Sequence, residues 1–120
     1  MTSIIQPRLR RKRIDKAPLR IIDKILRTKY GVSLEYACQS INRRDVVKYR
    51  QVIQTLLIRK TKLRLVDIGF HVGRVDHSSV SHSKGVIQKT ESLHRDFGIK
   101  EELFKLYTEI ETEYIKLMNL

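Results

Sequence analysis

Apolar residues recur at spacings of three and four along nearly the whole chain, and single glycines or short polar stretches punctuate them. That period belongs to helices and leaves no credible strand. Leu19, Ile22, Leu26 and Tyr30 make one stripe, with Pro18 suited to a first turn and Gly31 to the residue past the end, so the spacing predicts a helix over 18–30. Ser33 is placed to cap a short helix over 34–39, and Asp45 to cap the next over 46–60. The apolar face of that next helix reads Val46, Tyr49, Val52 or Ile53, Leu56 and Leu57. A two-turn helix over 65–72 stops at Gly73. A longer one over 77–95 turns Val80, Ile87 and Leu93 or His94 inward, and Gly98 breaks the chain. The last, over 100–119, carries Leu103, Leu106 or Tyr107, Ile110, Tyr114 and Leu117. The expectation is an all-α bundle of about six helices, and five Gly and two Pro in 120 residues agree with it.

Such a length suits one domain with a modest core. Residues 1–16 are expected to form a basic, disordered arm, because Arg8, Arg10, Arg11, Lys12 and Arg13 repel one another; residues 17–120 form the folded domain. The single Cys38 permits no internal disulfide and fits a reducing compartment. No apolar run reaches the ~18 residues a membrane span needs, and no apolar stretch follows the N-terminal charges as a secretory signal requires. A cytoplasmic protein is expected.

The positive charge lies on one side of the sequence. The formal net charge is +12. Residues 1–60 hold 16 Lys and Arg against 4 Asp and Glu, whereas residues 61–120 hold 9 of each. An excess confined to one half points to a polyanion, nucleic acid or an anionic membrane surface. Within that half, Ser40-Ile41-Asn42-Arg43-Arg44 is a polar, basic loop leading into a helix whose start carries Lys48 and Arg50. Free amide donors at a helix start favour anions, so loop and helix together suit phosphate.

The segment 65–95 has the layout of a helix-turn-helix: a short helix, a turn containing glycine, and a longer second helix. In that motif the first residues of the second helix reach base edges. Here they are Asp76, His77, Ser78, Ser79 and Ser81, all hydrogen-bonding and, His77 apart, short enough to let the helix lie deep in a groove. A packed helical pair with a polar outer face is the plainer alternative. Metal binding is not expected: His71, His77, His82 and His94 contain no i, i+4 pair, and Cys38 is remote. A serine hydrolase is not expected either, since no Gly-x-Ser-x-Gly occurs.

Val75-Asp76-His77-Ser78-Ser79-Val80-Ser81-His82 resembles the signature of the DNA-binding domain of the bacterial replication initiator DnaA family, Gly-Arg-Asp-His-Thr-Thr-Val-x-His-Ala. Arg50-Gln51 resembles the Arg-Gln that opens the helix after that family's basic loop, and Leu65-Val66-Asp67-Ile68-Gly69 resembles its Leu-Pro-Glu-Ile-Gly. Ile22-Asp23 through Tyr30 is similar to its entry helix, and the resemblance covers about residues 18–106.

The resemblance implies an all-helical, Trp-repressor-like domain that reads a short, non-palindromic box in double-stranded DNA as a monomer. The heptad ladder Leu103, Ile110, Leu117 leaves a homodimer through the last helix as an alternative. Carried over by position, Asp76, His77, Ser78 and Ser79 fall on the base-contacting segment, Arg50 and Gln51 on positions that steady the loop and backbone, and His82 near the phosphates. The minor-groove arginine falls on Asn42, with Arg43 and Arg44 one and two places later; Lys48 and Arg74 complete the backbone candidates. The family has Gly-Gly-Arg before Asp-His, whereas this chain has Gly73-Arg74-Val75, and serines replace both threonines. No Gly-x-x-x-x-Gly-Lys-Ser/Thr occurs in these 120 residues, so no ATPase and no cofactor are expected. The chain is expected to be a free-standing relative or an excised domain of a bacterial, nucleoid-associated or mobile-element-encoded protein. Its expected function is sequence-specific DNA binding at an origin or as a regulator. The alternatives are a protein-interaction module with general polyanion affinity and a dimeric helix-turn-helix transcription regulator.

Overall fold

A computed structural model describes residues 14–119; most of the basic arm lies outside them. Six helices occur among the described residues: α1 Ala17–Tyr30, α2 Leu34–Ala37, α3 Arg44–Lys60, α4 Leu65–His71, α5 His77–Phe97 and α6 Glu102–Met118. The all-helical expectation holds. Pro18 sits in the first turn of α1, and Gly31 ends it in the left-handed region at φ 69°. Ser33 caps α2 by accepting the Tyr36 N–H. Asp23 accepts the Leu34 N–H at 2.8 Å, which ties α1 to α2.

Several boundaries differ from the sequence reading: α2 ends at Ala37, and α6 spans Glu102–Met118 instead of 100–119. Asp45 does not cap α3: the helix begins at Arg44, two residues before the expected start, and no side chain caps it. Asp45 instead accepts the Tyr36 hydroxyl at 2.5 Å, a partner on another helix. The long helix α5 also runs two residues past Arg95, to Phe97, where Gly98 at φ 69° closes it by donating to His94 O.

Helix α3 is the centre of the bundle and packs against α2, α4, α5 and α6. Residues Val52, Ile53, Gln54, Thr55, Leu56 and Leu57 are therefore all buried in sequence, not on alternate faces. The core gathers Ile22 and Leu26 of α1, Ile53, Leu56 and Leu57 of α3, Ile68 of α4, Val80 and Ile87 of α5, and Tyr107, Ile110 and Tyr114 of α6. Leu103, Leu106 and Leu117 lie against the same core, so the heptad ladder of α6 is used within the chain. Among the described residues no helix is long and apolar enough to cross a membrane.

Candidate nucleic-acid interface

Helices α4 and α5 meet at a turn too tight for ordinary side chains. Gly69 is buried in α4, and a Cβ there would lie 2.3 Å from the Val75 carbonyl oxygen and 3.2 Å from Val80 Cγ2. The Val75 N–H donates back to Gly69 O at 3.0 Å, which fixes that approach. Gly73 and Arg74 then take left-handed conformations in succession, at φ 99° and 51°. Two such residues reverse the chain sharply, and only glycine enters that region without steric cost.

Asp76 is the N-cap of α5 and accepts the Ser79 N–H at 2.9 Å. That bond holds its carboxyl below the usual range, and an anion there also complements the helix dipole. His77, Ser78 and Ser79 are exposed in the first turn, Val80 is buried, and Ser81 and His82 are exposed again. The polar side chains at the start of α5 thus face outward while Val80 anchors the helix to the core.

The basic loop and the start of α3 form a second group. Asn42, Arg43 and Arg44 are exposed. Arg43 pairs with Asp45 at 3.5 Å. Lys48 is half-buried, and its ammonium meets Glu102 of α6 at 2.7 Å; that pairing draws the Glu102 carboxyl downward in pKa. Gln51 is half-buried on α3.

Arg50 joins the two groups. Its guanidinium donates to Gln39 O at 2.7 Å and to Ile41 O at 3.1 Å, fixing the loop just before Asn42. Its aliphatic stem fills the space over Gly73: a Cβ on that glycine would lie 2.3 Å from Arg50 Cδ. One side chain therefore links the loop to the helix-turn-helix, and any residue larger than glycine at 73 would displace it.

A second coupling was not anticipated from the sequence. Gln54, buried at 1% exposure in the middle of α3, donates from Nε2 to the Val72 carbonyl at 2.6 Å. Its Oε1 accepts the Ser83 hydroxyl at 2.5 Å. Val72 follows α4 and Ser83 lies in α5, so one carboxamide holds both helices of the motif. The sequence signal was a polar residue amid an apolar run, together with Ser83 where the family signature has alanine.

Cys38 is half-buried, and desolvation pushes its thiol up to about 12, which makes it a poor nucleophile. Among the described residues no three His, Cys, Asp or Glu side chains gather as a metal site would need.

These features agree with what the chain is similar to. Residues 19–87 match the family described as bacterial dnaA protein helix-turn-helix. The chromosomal replication initiator protein DnaA of Rickettsia africae (strain ESF-5) is 33% identical over 86 residues, 71% of this chain and 18% of that protein. The proteins of the same name from Rickettsia canadensis (strain McKiel) and Rickettsia massiliae (strain Mtu5) are each 32% identical over 83 residues, 68% of this chain and 17% of theirs. The chain thus spans less than a fifth of the length of these curated relatives. No solved structure matches it significantly. With more than half of its residues matched, this chain belongs to the bacterial dnaA protein helix-turn-helix family.

Proposed function

We propose that this chain binds double-stranded DNA with a sequence preference, in a role related to replication initiation and without ATPase or other enzymatic activity. The observation that carries the reading is the link made by Arg50. It sets a basic loop and the polar start of α5 at a fixed separation, as a reader of adjacent grooves needs. In this reading Asp76, His77, Ser78 and Ser79 meet base edges in the major groove. Arg43, Arg44 or Asn42 enters the neighbouring minor groove, where narrow A·T-rich stretches attract arginine. Arg50, Gln51, Arg74 and His82 serve the sugar–phosphate backbone, positioning the protein without reading sequence, and Lys48 joins them only by giving up its pair with Glu102. The protein acts as a monomer, since Ile110 and its neighbours on α6 are occupied by the protein's own core.

Selection from random duplexes tests the reading: one enriched motif is expected, and no enrichment would leave a polyanion-binding interaction module as the better account. Asp76→Ala and His77→Ala should each lower affinity for the selected duplex about ten- to hundredfold and change affinity for random DNA far less. Equal losses on both would show that this segment does not read bases.

A further inference from the structure

The fold cancels much of the positive charge that the sequence concentrates in its first half. Lys48 and Lys60 of α3 pair with Glu102 and Glu111 of α6, Lys29 of α1 with Glu113, and Arg59 with Glu91 in a two-pronged bond. Arg27 and Arg43 pair with their near neighbours Asp23 and Asp45. Cations without an acid partner among the described residues occur in several places, Arg44, Lys62 and Lys89 among them, but three lie together. Lys16, the N-cap of α1, and Arg20 within it are exposed and line one cleft with Arg74, two residues before the cap of α5, and none of the three forms an acid pair among the described residues.

The carboxylates beside this cleft do not cancel it. Asp15 accepts the Ala17 N–H, and Asp23 is taken by Arg27 and the Leu34 N–H. Arg27 offsets Asp23, but a bond to an N–H leaves Asp15 charged, so Asp15 and Glu35 against the three cations leave an excess of one positive charge. Arg74 is further held over the Phe70 ring at 5.5 Å, so its position is set by α4.

We propose that Lys16, Arg20 and Arg74 form a phosphate track that carries the sugar–phosphate backbone of a duplex from the helix-turn-helix onto α1. This rests on the DNA-binding reading above. The track reads no sequence; it adds contacts between the turn of the motif and the start of α1.

The test compares the intact chain with Lys16→Ala/Arg20→Ala, titrating salt on the selected duplex and on a random one. Each phosphate contact contributes about 0.9 to the slope of log K against log[salt]. The double variant should therefore show a slope flatter by about 1.8, with equal loss on both duplexes and an unchanged melting temperature. Glu35→Gln should strengthen binding to both duplexes, whereas Lys116→Ala, paired with Glu113 on α6, should leave the slope alone. An unchanged slope in the double variant, beside a steep one in the intact chain, overturns the track and leaves the DNA reading standing. A loss confined to the selected duplex overturns it too, because phosphate contacts cannot discriminate. An intact chain with no duplex affinity would remove both.

Discussion

Replacing Ser83 by alanine removes one hydroxyl and should have an effect out of proportion to its size. The Ser83 hydroxyl is the donor to Gln54 Oε1, and both residues are almost wholly buried, at 4% and 1% exposure. Once the donor is gone, the carbonyl end of the carboxamide is left in the core without a partner. A buried polar group stranded in this way costs about 1–3 kcal/mol, and for a domain of this size each kcal/mol lowers Tm by about 4 °C. Gln54→Leu should also destabilise, because the Val72 carbonyl then loses the 2.6 Å donor, while Ser83 can turn to the Ser79 carbonyl 3.2 Å away. The double variant Gln54→Leu/Ser83→Ala leaves only the Val72 carbonyl stranded. It should be about as stable as Gln54→Leu alone, a coupling equal to the Ser83→Ala loss, about 1–3 kcal/mol. Urea or thermal unfolding of the four proteins, followed by far-UV circular dichroism, measures this directly. If the two single losses add to within ~0.5 kcal/mol in the double variant, the carboxamide does not act as a bridge and the argument fails.

The two helical glycines of the motif should respond in opposite directions. Gly69→Ala drives a Cβ into the Val75 carbonyl and should destabilise by about 1–3 kcal/mol, whereas Gly85→Ala meets open space and should stabilise by up to about 1 kcal/mol; losses at both sites would refute the steric account. Arg50→Met keeps an apolar stem but removes the nitrogen that donates to both Gln39 O and Ile41 O, so trypsin should cut faster after Arg43 and Arg44, and unchanged cleavage would show that the loop is fixed by other contacts. Acid should unfold the protein partly through Asp23, lowered by the Leu34 N–H and Arg27, and Asp76, lowered by the Ser79 N–H. Their folded values lie below the unfolded ones, so their stabilisation is complete above the unfolded value and is lost as pH falls through the folded values, below about pH 4. Asp23→Asn/Asp76→Asn should flatten that acid limb of a stability–pH curve, and an unaltered limb would contradict it.

Local rules made most of the architecture legible. Helix periodicity, Pro18, Gly31, Ser33 and Gly98 are features of neighbouring residues, and the helices they predict are found with ends shifted by a few residues at most. The helix-turn-helix was legible for the same reason, since its turn chemistry and cap are written within a dozen residues. Asp45 failed as a cap because a residue on another helix, Tyr36, took its carboxylate. The apolar stripe read for α3 was too narrow because a helix enclosed by four others is buried on more than one face, and only the packing reveals that enclosure.

The sequence alone determined that this chain is all-helical, that it carries a helix-turn-helix, and that its basic residues fall in the first half. Which of those basic residues keep their charge free was decided by tertiary structure, because the glutamates that neutralise Lys29, Lys48 and Lys60 arrive from α6 at the other end of the chain. The same holds for Arg50 and Gln54: the sequence shows a basic and a polar residue on a helix, but their partners, Gln39, Ile41 and Gly73 for one and Val72 and Ser83 for the other, lie outside α3. Helix formation depends on bonds between near neighbours, and so it can be read along the chain. Charge neutralisation and the alignment of the basic loop with α5 depend on distances across the bundle, which exist only once the helices have packed.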